Sequence, residues 1–132
     1  MSNADKLIEI ARRARENAHA PYSKFSVGAA VETGFVLIYA GCNIESATFG
    51  LTMCAERVAI WKALSDGARD FKAIAIVADT DELTPPCGTC RQIIWEFCGD
   101  ISVTMANLAG KTETIQMSEL LPRPFDSTFL NQ

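Results

Sequence analysis

Two cysteine-bearing segments constrain this chain more than any other feature: Cys54-Ala-Glu56, and Cys87-Gly-Thr-Cys90 directly after Pro85-Pro86. Each stands where a helical pattern begins, so each places thiols at a helix N-terminus. Unpaired N–H groups and partial positive charge there lower a thiol pKa and favour the thiolate that binds metal. A fold that brings the two helix ends together gathers three thiolates around one ion. Three protein ligands are the catalytic pattern for zinc, because the fourth position stays free for water. The predicted metal ligands are Cys54, Cys87 and Cys90.

Glu56 and Arg57 complete the chemistry. With Cys54 as the helix cap, Glu56 lies in the first turn and leans over the end, close to the metal but not bound to it. A carboxylate there takes a proton from activated water and passes it on. Three thiolates and Zn²⁺ sum to −1, which weakens the ion's hold on water; a guanidinium donating to sulfur withdraws some of that charge. Arg57 and Arg91 both neighbour a ligand, and Arg57 is the expected partner. Other readings stay open: a C-x-x-C redox pair, or a closed four-sulfur structural site completed by Cys42 or Cys98. Those two cysteines end apolar segments and read better as small buried hydrophobes. The lone His19 reads as an exposed or capping residue.

The periodicities place these segments. A first amphipathic helix is predicted over residues 4–18, stopped by Pro21. Two β-like runs, Ser26–Glu32 and Phe35–Cys42, flank Thr33-Gly34 and predict a tight hairpin. Asn43–Met53 reads as a loop, Ala55–Asp66 as a helix stopped by Gly67, and Ala73–Ala78 as a strand buried on both faces. After the loop Asp79–Pro86 come a helix, Gly88–Phe97, strands Ile101–Ala106 and Thr112–Met117, and a helical turn at Ser118–Leu121. The order α-β-β-α-β-α-β-β predicts an α/β fold with a central sheet covered by helices, in one domain spanning residues 1–132.

Composition excludes several classes. Hydrophobic residues make up 48% and charged residues 21%, against disorder. The longest apolar runs, Phe35–Ala40 and Ala73–Ala78, are six residues each, far short of the ~20 a membrane helix needs. Net charge is −4 with no basic run, against a nucleic-acid partner. Five cysteines, an odd count, and an N-terminus without a signal-peptide plan predict a reducing, cytoplasmic setting.

Cys54-Ala-Glu56 and Pro86-Cys87-Gly-Thr-Cys90 match the three-cysteine variant of the zinc deaminase pattern. With Ala20-Pro-Tyr-Ser-Lys-Phe-Ser-Val-Gly-Ala-Ala30, Gly41-Cys-Asn-Ile-Glu45, Cys87-Gly-Thr-Cys-Arg-Gln92 and Glu119-Leu-Leu-Pro122, the chain resembles the small cytidine deaminases over residues 7–125. The resemblance implies a three-layer α/β/α fold on a mixed five-stranded sheet. It implies deamination of cytidine and deoxycytidine to uridine and deoxyuridine, one Zn²⁺ per chain, and a homotetramer of pyrimidine salvage. On the matched positions, water activated by zinc attacks C4 of the ring while Glu56 shuttles protons. Asn43 and Glu45 read the ribose 3′-hydroxyl, Phe25 lines the base pocket, and Phe125 stacks on the base from another subunit. Ala47 and Phe49 lie near the 5′ end of a neighbour's substrate. The chain departs from the family pattern at Ser46 and Phe49, and Thr48 and Thr52 are also unexpected in that loop. This keeps a modified cytosine nucleoside, such as blasticidin S, as an alternative substrate; a non-catalytic structural-zinc module is the remaining one.

Overall fold

A computed structural model describes residues 2–131. Helix α1 (Asn3–Arg15) opens with a reciprocal cap: Ser2 Oγ accepts the Asp5 N–H and Asp5 Oδ2 accepts the Ser2 N–H. Strands β1 (Val27–Thr33) and β2 (Ile38–Cys42) follow, then α2 (Ala55–Ser65), β3 (Phe71–Ala78), α3 (Gly88–Cys98), β4 (Ser102–Ala106), β5 (Thr112–Gln116) and the short α4 (Met117–Leu120). The sheet runs β2-β1-β3-β4-β5, with β3 and β4 parallel and the other pairs antiparallel. This is the expected three-layer α/β arrangement on a mixed five-stranded sheet.

Alternating strand residues feed the two layers. Val27, Ala29 and Val31 of β1 and Ile74, Ile76 and Ala78 of β3 pack with Ala59, Ile60 and Ile94 of α2 and α3. Ala30, Ala75 and Val77 point the other way, onto Leu7 and Ala11 of α1. The central strand β3 is buried on both faces because it has helices above and below.

This wiring forces the two cysteine segments together. Helices α2 and α3 flank β3 in sequence and pack on the same face of the sheet, where they touch each other. Both N-termini therefore lie at the C-terminal edge of β3, the edge where open α/β sheets place their sites.

Two sequence-based boundaries need correction. Helix α1 ends at Arg15 rather than residue 18, because His19 joins another segment: its N–H donates to Asn43 O (2.9 Å) and its carbonyl accepts the Glu45 N–H (2.8 Å). The hairpin is also looser than a two-residue turn. Phe35, Val36 and Leu37 belong to it rather than to β2, since Thr33 Oγ1 accepts the N–H groups of Phe35 (3.3 Å) and Leu37 (3.2 Å). No layer lies over those three side chains, so nothing rewards their pairing as strand.

Close approach, not turn geometry, explains Gly28. A Cβ there would lie 1.9 Å from the Ala11 carbonyl oxygen and 2.7 Å from Arg15 N, both backbone atoms of α1. Gly28→Ala is therefore expected to push α1 off the sheet and lower stability by about 3 kcal/mol, read from urea midpoints. Gly50→Ala, with open space around it, is the control and should leave the midpoint unchanged.

Candidate active site and metal centre

Cys54 caps α2 and Cys87 caps α3, both with extended backbone, and Cys90 sits in the first turn of α3. Neither capping thiol accepts a backbone N–H of the helix it caps, so the sulfurs are free to face each other. The three Sγ atoms lie within 4.8 Å of one another, with Cys54 and Cys87 4.0 Å apart. Tetrahedral zinc with bonds of about 2.3 Å holds its sulfurs about 3.8 Å apart, so this donor set fits zinc with small adjustments. Cys42 and Cys98 are not part of the group, which leaves it three-sulfur among the described residues. His19 is outside it as well.

The thiols share their protons. Hydrogen bonding from Cys90 brings the Cys54 thiol down to about 5, and Arg57 helps. Cys90 moves the opposite way, first because it is the donor to Cys54 and then because it is buried. A bound cation replaces those protons. Arg57, one turn along α2, donates from Nη2 to Cys54 Sγ at 3.4 Å, while its buried Nε has no partner among the described residues. Arg91 turns away: its Nε donates to Pro86 O (2.8 Å) and its Nη1 to Leu120 O (3.0 Å), tying the start of α3 to α4.

Glu56 is 5% exposed at the floor of a cleft of about 230 Å³. Burial, reinforced by the Cys54 thiolate, pushes its carboxyl up to about 7, where a proton is gained and lost near neutrality. Phe25, Asn43, Glu45, Cys54 and Cys87 line the same cleft. Asn43 is buried and already committed: its Oδ1 accepts the Val27 N–H (2.9 Å), and its Nδ2 donates to Phe25 O (2.7 Å). One amide hydrogen and one lone pair remain for a ligand.

Three residues expected around a substrate lie outside this cleft. Ala47 is exposed on the 43–53 loop. Phe49 lines an adjoining cavity, packed edge-on against Tyr22 with ring centroids 5.9 Å apart. Phe125 is exposed and stacks on Phe129, and its carbonyl accepts a hydrogen bond from Gln92. The hydroxyls of Ser46 and Thr52 each bond within the loop. Thr52 Oγ1 accepts the Ser46 N–H (3.0 Å) and Ser46 Oγ accepts the Thr48 N–H (3.1 Å).

Sequence reasoning missed Ser23, Thr84 and Pro85, which also line the cleft, as does Thr52, one of the unexpected residues of its loop. Ser23 lies within a quoted motif, but nothing in its spacing marks the bond it makes to Glu45, 22 residues away.

The model of the cytidine and deoxycytidylate deaminase zinc-binding region matches residues 1–106. The chain belongs to this family. It is 49% identical over 130 residues to a cytidine deaminase of Sporosarcina psychrophila, covering 98% of this chain and 96% of that protein. It is 50% identical over 126 residues to one of Halalkalibacterium halodurans, covering 95% and 96%. The crystal structure of cytidine deaminase from Burkholderia pseudomallei superposes with a TM-score of 0.91 at 43% identity, covering 95% of this chain and all of that one. Zinc is the cofactor of this deaminase family, and Cys54, Cys87 and Cys90 form the group suited to hold it. No helix among the described residues is long and apolar enough to cross a membrane.

Proposed function

We propose that this chain, as one domain over residues 1–132, is a zinc-dependent deaminase converting cytidine and deoxycytidine to their uracil counterparts with release of ammonia. The observation that carries this is Glu56: a buried carboxylate beside three thiols suited to hold a metal, lining one cleft with Glu45 and Asn43. A purely structural metal site has no use for such a group.

Zinc, when bound, lowers the pKa of water enough to make a nucleophile at neutral pH. The protein's residues do the rest. Glu56 takes the proton of the attacking water, delivers it to ring N3, and later carries the second proton to the leaving amine. Cys54, Cys87 and Cys90 hold the metal, and Arg57 withdraws charge from the Cys54 sulfur. Phe25 forms a wall for the base, while Asn43 and Glu45 take the sugar 3′-hydroxyl.

Neither the cleft nor the adjoining cavity is lined by Lys or Arg among the described residues. Of the two substrate types in the family's description, this supports the free nucleoside over the nucleotide, whose phosphate needs a cation. The net charge of −4 likewise argues against a polynucleotide. That Ala47, Phe49 and Phe125 lie outside their own chain's cleft supports a homotetramer in which they serve a neighbour's. The free cysteines suit a reducing cytoplasm.

The test is ammonia release by zinc-analysed protein on cytidine, deoxycytidine and deoxycytidylate. Rapid release from the two nucleosides, with about one zinc per chain, is expected. A zinc-replete protein inactive on both nucleosides would refute the assignment. Arg57→Gln is expected to weaken zinc retention about 10-fold without dissociating the oligomer, measured by competition with a chelator. Unchanged zinc affinity and unchanged rate would reduce Arg57 to a packing role.

A further inference from the structure

We propose that Ser23 is the positioning residue of the sugar subsite, fixing the Glu45 carboxylate so that one acceptor site remains and takes a single hydroxyl of the ligand. This rests on the reading of Glu45 as a sugar contact.

Glu45 follows β2 by three residues and is held from two sides. On one, its own N–H is bonded to His19 O. On the other, the turn Ala20–Phe25 folds over its side chain. That turn is closed by the Lys24 N–H donating to Ala20 O (3.0 Å), with Lys24 in the left-handed region at φ 61. Such a backbone is strained for a non-glycine residue. Here it aims three donors at one carboxylate: Tyr22 N–H (3.0 Å) and Ser23 N–H (3.1 Å) reach Oε1, and the Ser23 hydroxyl reaches Oε2.

Counting acceptors gives the specificity. A carboxylate offers about four lone-pair sites, two per oxygen. Oε1 is filled by two amides, and Oε2 keeps one site beyond Ser23. The three donors, Ser23 Oγ foremost, hold the Glu45 carboxyl below the usual range. It is therefore an ionised, acceptor-only group. It takes one O–H and repels a phosphate or carboxylate. A subsite with room for one hydroxyl accepts ribose and 2-deoxyribose alike, since both carry the 3′-hydroxyl.

Ser23 also links Glu45 to Phe25, both of which line the cleft. Its Oγ accepts the Phe25 N–H at 3.0 Å, while the Phe25 carbonyl is held by Asn43. Losing the Ser23 hydroxyl frees the Glu45 oxygen to rotate toward the turn or toward solvent, so the carboxylate no longer presents a fixed site.

The experiment compares kcat and KM for cytidine and 3′-deoxycytidine, with calorimetric binding of uridine and 3′-deoxyuridine as a readout independent of turnover, all on zinc-loaded protein. The unmodified protein is expected to prefer the hydroxyl-bearing ligand of each pair about 30-fold, the usual scale for an unpaired charged acceptor. Ser23→Ala should cut that preference below about 5-fold, the loss falling on KM for cytidine and on uridine binding; Ser23→Thr, which keeps the hydroxyl, should restore it. If Ser23→Ala raises KM equally for both nucleosides and keeps the preference, Ser23 is only structural and the proposal is overturned. Glu45→Gln separates the two levels. If it keeps the full preference, the reading of Glu45 falls and the Ser23 role with it. If it loses the preference while Ser23→Ala does not, only the Ser23 role falls. Should Ser23→Ala not fold, Ser23→Cys, a poor donor at the same position, carries the same comparison.

Discussion

Glu56→Gln is expected to lower kcat on cytidine by about 10³-fold or more while zinc stays at one per chain and the thermal midpoint barely moves. Glutamine keeps the shape of the side chain and a hydrogen-bonding tip, but it cannot take up a proton. Glu56 is buried in the first turn of α2, with burial holding its carboxyl near neutrality at about 7. That position suits a group that must accept and return a proton twice in each turnover. It is not one of the three sulfurs, so its loss leaves the metal in place. Metal analysis, melting curves and steady-state rates on one preparation decide the matter. A variant retaining a tenth of the wild-type rate would show that the protons travel another way.

Cys90→Ala is the second large effect, and of a different kind: zinc should fall below about 0.2 per chain, with activity falling in proportion and the melting temperature dropping. Cys90 is fully buried, whereas Cys54 is half-buried and Cys87 exposed. It is the inner corner of the group, and two sulfurs do not retain zinc as three do. Because the metal binds the folded chain, its loss removes binding free energy from stability as well as chemistry from the cleft. Cys42→Ser and Cys98→Ser should keep full zinc, since neither thiol belongs to the group. Burial keeps Cys98 protonated, with its thiol pushed up to about 12. Zinc loss in either serine variant would revive the four-sulfur structural site.

Most of the elements were legible because their causes are local. The stop at Gly67 and the apolar run of β3 depend on residues a few positions apart, and the structure has both. The errors arose where a distant partner intervened. Helix α1 loses its last turn because His19 pairs with Asn43 and Glu45. Phe35–Leu37 carries a strand-like pattern but has no layer to bury against. At the site, the cysteines announced themselves by type, spacing and position at helix starts. Ser23 did not, since a serine in a turn has no local signature of the carboxylate it will meet.

By itself, then, the sequence determined the alternation of helices and strands, the two helices that begin in cysteine, and a donor set that selects zinc. Capping, periodicity and ligand chemistry act over a few residues and can be read there. Only the tertiary structure decided that the two helix ends meet at the C-terminal edge of β3, and that Glu56 is buried beside them. It alone committed Asn43 to the Phe25 backbone, left Glu45 one free acceptor, and turned Phe49 and Phe125 away from their own cleft. The reason is the sheet order β2-β1-β3-β4-β5, which juxtaposes segments more than twenty residues apart. Local pattern carries no information about such distances.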